Sequence, residues 1–232
     1  MRKLIATMAG LALVVAGVAL VGGTRTATAQ GGGTIEVEVK YNGAPAVEKL
    51  KVNKDVEKCG NETTIEKVVV GGNKGLAYAV ASVKDGKGAT TAKKAVIDQK
   101  GCKFVPHVVA MTPGEIEIKN SDDILHNIHT YSTANAAVNK AQPKFKKTMV
   151  EKFEKPEIIK VTCDVHSWML GWIAVMPHPL FGVTDENGVT KIENVPAGKH
   201  TVEVWHETLG KQTKEVEVKA GQSAKVAFEM KK

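Results

Sequence analysis

The chain has 232 residues, with 32 Lys and Arg against 25 Asp and Glu, a formal charge of +7, 43% hydrophobic residues and three cysteines. That length can bury one generous core or two small ones. Its lysines are scattered among glutamates along strand-like stretches, without a basic patch carrying aromatic platforms, which argues against nucleic acid as a partner.

In chain order, Arg2 and Lys3 precede a mostly apolar, uncharged run from Leu4 to Thr24, followed by the small-x-small triplet Ala27-Thr28-Ala29. These are the parts of a secretory signal peptide, with cleavage expected after Ala29. The 21-residue run could span a bilayer, yet the small-residue exit and the Gly-rich continuation favour removal over an anchor. No cysteine near the cut offers a lipid anchor. The expectation is a periplasmic or secreted protein with no membrane span after cleavage, and a mature charge of +4 from 29 basic and 25 acidic residues. Such a compartment allows disulfides, so an odd cysteine count needs an explanation. If Cys59 and Cys102 pair, Cys163 is left as a reduced thiol, and a soft metal is one of the few partners that protects it.

Thr34 to Tyr41 alternates apolar and polar residues, and the period of two returns at Gly114 to Lys119 and Glu215 to Lys219. These predict strands with one buried face. Gly71-Gly72-Asn73, Asp85-Gly86, Pro113-Gly114 and Glu186-Asn187-Gly188 supply turns between them. The Ala-rich stretch from Thr133 to Val138 suggests a helical turn inside a loop. Many short strands and frequent turns predict an all-β, antiparallel sandwich. At Met176-Pro-His-Pro179 two prolines interrupt the ladder and set a boundary. The roughly 55 residues beyond it are few for an independent core, so this small all-β unit is expected to pack on the first.

The densest chemistry lies in Cys163-Asp-Val-His166-Ser-Trp-Met169, between the strand-like Glu157-Ile-Ile-Lys-Val-Thr162 and Leu170-Gly-Trp-Ile-Ala-Val175. A thiolate, an imidazole and a thioether on one short loop suit copper, which takes two imidazoles and a thiolate with a weak axial thioether. The second imidazole is sought in Gly114 to Asn127, where a strand runs through Asn120-Ser-Asp-Asp into His126-Asn127. That places His126 at a strand end facing the Cys163 loop, with Asn127 positioned to tie two loops together and support the thiolate.

The Asn-Ser-Asp…His-Asn segment and the Cys-x-x-His-x-x-Met loop together resemble cupredoxins of the plastocyanin and amicyanin type over about residues 110–176, the tight ligand loop being closer to amicyanin. The resemblance implies a cupredoxin-like Greek-key sandwich at 34–176, with His126, Cys163, His166 and Met169 binding one mononuclear type 1 copper. Residues 34–232 as a whole resemble exported bacterial proteins in which such a domain precedes a carboxypeptidase-regulatory-like, or transthyretin-like, β-sandwich, here 177–232. The implied function is one-electron transfer with a redox partner protein, a cytochrome or an oxidoreductase, the electron passing through the edge of His166.

His107 is a rival to His126 but lacks the strand, the polar turn and the following asparagine. His129 could join His107 in a second metal site. Trp168, beside His166, is a candidate for an apolar rim where a partner docks, whereas Trp172 reads as core. His178, between prolines, and His206 read as structural. Enzyme readings lose support at specific residues: Thr162 and Asp164 flank Cys163, so no histidine bridges to a second copper, and no His-Glu-x-x-His motif occurs. The rival to electron transfer is copper storage or delivery, or a structural envelope module.

Overall fold

The computed structural model describes residues 31–88 and 95–232; the expected signal segment, 1–29, lies outside the described residues. The described chain is almost entirely β. Strands β1 (Gly33–Tyr41) and β2 (Ala46–Lys51) lead to a one-turn helix, α1 (Val56–Cys59), then to β3 (Glu62–Val68) and β4 (Val80–Val83). β5 (Ala95–Lys100), β6 (Lys103–Val105), β7 (Val108–Met111), β8 (Gly114–Asn120), β9 (His126–Tyr131), β10 (Asn139–Gln142), β11 (Thr148–Phe153), β12 (Glu157–Thr162) and β13 (Leu170–Val175) follow. The chain ends with β14 (Phe181–Val183), β15 (Val189–Val195), β16 (Gly198–His206), β17 (Gly210–Val218) and β18 (Ser223–Met230).

A five-stranded sheet, β10-β9-β12-β13-β7, faces a four-stranded one, β11-β8-β5-β6. Alternation along each strand points one set of side chains inward. Ile97, Ile116, Ile118 and Phe153 from one sheet thus meet Ile128, Ile159, Val161 and Ile173 from the other in a single buried core. Pairing is mostly antiparallel, but β5 with β8 and β7 with β13 run parallel. This is the expected all-β sandwich. The expected helical turn at Thr133 to Val138 is absent: residues 133–135 form bends, with Glu157 accepting the Thr133 and Ala134 N–H groups at 2.7 and 3.2 Å.

The second core changes the expected organisation. β15-β1-β18 faces β14-β4-β16-β17, so β1 and β4, which the sequence grouped with residues 34–176, pair with strands beyond Pro179. Ile35, Val37 and Val39 of β1 are fully buried against Ile192, Val202, Val204 and Phe228. The physical reason is the one that made the C-terminal unit look small: its strands cannot close a two-layer core alone, and an early strand inserts between β15 and β18 to complete it. Gly188 shows how tight the join is. It adopts φ 73, and a β-carbon there would lie 2.2 Å from the Val39 carbonyl oxygen. The chain still changes core near the proline pair, with Val175 in the first and Leu180 in the second. His178 is buried there as structure, accepting the Leu180 N–H at 3.1 Å.

The two sandwiches meet through Val80, Val108 and Ala174, with Tyr78, Trp172 and Trp205 around them. Trp172 and Trp205 stack edge-on, and buried Glu207 accepts the Trp172 indole N–H at 2.7 Å while also pairing with His107. Residues 46–68 stand apart: β2 and β3 form a two-stranded sheet with no strand neighbour, tied to the first sandwich by the Cys59–Cys102 disulfide.

Candidate metal centre

Register brings the site together. β9 and β12 are antiparallel neighbours with Thr162 opposite His129, so Cys163, just past the end of β12, lies beside the start of β9, where His126 is the first residue. The loop to β13 is short and folds back on itself, the Met169 N–H donating to the His166 carbonyl at 3.0 Å. One ligand atom each from His126, Cys163 and His166 lies within 4.8 Å of the others, and all three residues are buried. Met169, at the far end of the loop, is buried in the same core.

Each ring is held from outside. His126 Nε2 lies 2.9 Å from Asp122 Oδ2, and His166 Nε2 lies 2.9 Å from Asp55 Oδ2. A carboxylate only accepts, so each Nε2 carries a proton, and in a neutral ring the lone pair then lies on Nδ1. Those two Nδ1 atoms face each other 3.0 Å apart, and Cys163 Sγ lies 3.9 Å from that of His166. Two inward imidazole nitrogens beside a buried thiol present three donor atoms to one point. The donor set, two nitrogens and a soft sulfur, is one that copper takes.

Neighbouring groups stiffen this geometry. The Asn127 backbone N–H points at Cys163 Sγ at 3.4 Å, while its side chain accepts the Asp164 N–H at 2.6 Å and donates to Asn139. Burial pushes Asp122 upward, but the Cys102 N–H, the His126 ring and the Gly101 N–H outweigh it and hold the carboxyl below its ordinary range. Burial lowers the His126 pKa, with Asp122 acting in opposition. The outer ends of the loops are joined where His129 Nδ1 meets Asp164 Oδ1 at 2.9 Å, which, with Asn139, keeps that carboxyl ionised below the usual range.

Several expectations change. His107 and His129 are not brought together: the first pairs with Glu207 and stacks near Tyr78, the second pairs with Asp164. Trp168 is not a surface rim. It is 5% exposed, and its indole N–H donates to the Cys102 carbonyl at 3.2 Å, because the disulfide loop folds over it. The His166 edge is not open either, since the ring is 0% exposed behind Asp55. Two carboxylates were missed as site residues. Asp122 had a signal, an acid four residues before His126 in the polar turn. Asp55 had none, being 111 residues from its partner.

No protein-family model matches the chain, and no curated protein matches it. Among solved structures, a copper-containing nitrite reductase from Thermus scotoductus aligns at 20% identity and a TM-score of 0.34, over 41% of this chain and 25% of that one. The chain therefore spans about a quarter of that protein's length. A purple cupredoxin from Nitrosopumilus maritimus aligns at 19% identity and a TM-score of 0.31, over 36% of this chain and all of that one. Amicyanin from Paracoccus versutus aligns at 17% identity and a TM-score of 0.33, over 41% and 97%. The reading of the site rests on its own side chains.

Proposed function

We propose that this is an exported type 1 copper protein that transfers single electrons, with His126, Cys163 and His166 as strong ligands of one copper ion and Met169 as the weak axial one. The observation that supports this is the convergence of three buried donors with both imidazole Nδ1 atoms turned inward. Bound there, copper would supply one-electron exchange between its two oxidation states. The chain's own residues do the rest. Asp122 and Asp55 fix the rings, the Asn127 N–H stabilises the thiolate, and the packed core excludes water. Among the described residues no helix is long and apolar enough to cross a membrane. The partner on this reading is a redox protein, a cytochrome or an oxidoreductase. The absence of a histidine beside Cys163 favours a carrier over an enzyme.

Copper-loaded protein should show an intense thiolate-to-copper band at about 600 nm and a matching spin-resonance signal, the expectation for a His₂Cys centre. Replacing Cys163 with Ala should abolish the band. Its absence from the wild type would sink the proposal. A second reading, copper held without turnover, draws on one observation: the outer edge of His166 is closed. Oxidation of the reduced protein by a small one-electron acceptor separates the two, because a holding site would react many times more slowly than a carrier.

A further inference from the structure

The hairpin of residues 46–68 puts Val52 into the first core and Val68 into the second. Its strands join no other sheet and are largely exposed. It adheres through buried Val52, through Leu50, Cys59 and Ile65 against the first core, and through the Cys59–Cys102 disulfide. At its tip Asp55 occupies the N-cap position of α1, where an aspartate ordinarily satisfies a free backbone N–H. Here it makes no such bond. Its backbone takes φ 49, ψ 39, the left-handed region that aspartate enters more readily than most residues, and its carboxylate reaches His166 Nε2 at 2.9 Å. With no cap bond made, the carboxylate is committed to a ring 111 residues away.

We propose that Asp55 is a positioning residue for His166. Delivered by the disulfide-tethered hairpin, it pins the ring so that Nδ1 points at His126 and Cys163, and it closes the ring's outer edge. The proposal rests on the copper reading for its purpose, but it concerns an arrangement present in the metal-free protein. The two rings are then held in unlike ways. His126 is fixed by Asp122 from its own turn, whereas His166 depends on a distant segment cross-linked to the first sandwich by Cys59–Cys102.

The test uses full-length protein carrying Asp55→Gly, which tolerates the left-handed backbone, and Asp55→Asn, whose amide oxygen can still accept from Nε2. In metal-free protein, the rate of acylation of each histidine by diethyl pyrocarbonate is followed by peptide mass mapping. His166 in the Gly variant should react about tenfold faster or more, the factor expected for loss of one charge-assisted hydrogen bond, with His126 unchanged. The Asn variant should lie between. Cobalt(II), followed by its thiolate band, should bind the Gly variant about 10- to 100-fold more weakly than the wild type. An unchanged His166 rate in the Gly variant overturns the proposal, as does a rise shared equally with His126, which general loosening would give. If wild-type protein takes up no cobalt while His166 is still unmasked selectively, the metal reading fails and the positioning role stands.

Discussion

Met169 is where residue chemistry tests the metal reading most directly. Losing an axial donor takes more stabilisation from the doubly charged ion than from the singly charged one, so Met169→Leu should leave the metal bound, keep the visible band and raise the reduction potential, read by spectroelectrochemistry. The swap conserves volume in a packed site, so the folding cost should stay below about 1.5 kcal/mol. His206 makes a different prediction. Burial holds its pKa down to about 4, against an ordinary 6.5, with Glu207 opposing. The folded ring therefore stays neutral where the unfolded one takes a proton. Stability is at its full value above pH 6.5 and falls as the pH drops toward 4. The loss is on the order of 3 kcal/mol, and His206→Gln should flatten that part of a urea-midpoint against pH curve. At this scale the candidate ligands were legible, because Cys163, His166 and Met169 share one loop and His126 follows a strand and a polar turn. The exposure of Trp168 was not, since what covers an aromatic depends on segments far away in sequence.

Among the elements, the hairpin 46–68 and the loop at 132–135 each rest in part on one group whose removal can be measured. The Cys59–Cys102 bridge spans 43 residues of sequence. Replacing both cysteines with serine should cost about 4 kcal/mol on the chain-entropy view, measured as a lower denaturation midpoint, and should leave the hairpin open to proteolysis before global unfolding. The 132–135 loop hangs on Glu157. Burial raises its pKa, but Ser132, the Thr133 N–H and hydroxyl and the Ala134 N–H outweigh this and bring it down to about 2. Its hold is thus present above pH 4.5 and lost as the pH falls toward 2. The period of two identified strands such as β1 and β8 correctly, since alternation is a local property. It carried no information on which strand each would pair with.

On the scale of the whole molecule, the two sandwiches depend on a chain that passes from the second core to the first and back. Ending the chain at residue 176 would strip the partners of Ile35, Val37 and Val39, each fully buried. Burying one such side chain contributes about 1.5–3 kcal/mol. Losing three approaches the roughly 5–15 kcal/mol that holds a domain folded. The truncated protein should therefore lose order in β1 and β4, seen as rapid cleavage there in limited proteolysis. A truncation that stays protected in β1 would show that residues 34–176 form a unit by themselves.

Sequence alone determined the all-β class, that an odd cysteine would be left over and the three candidate donors that share a loop. Those features follow from local alternation, cysteine arithmetic and short spacing. Tertiary structure alone decided that β1 closes the second core, that Trp168 lies inside, and that a carboxylate 111 residues away seals the edge of His166. Strand pairing and burial are settled by which surfaces can cover one another, a balance struck over the whole chain. No window of neighbouring residues contains it.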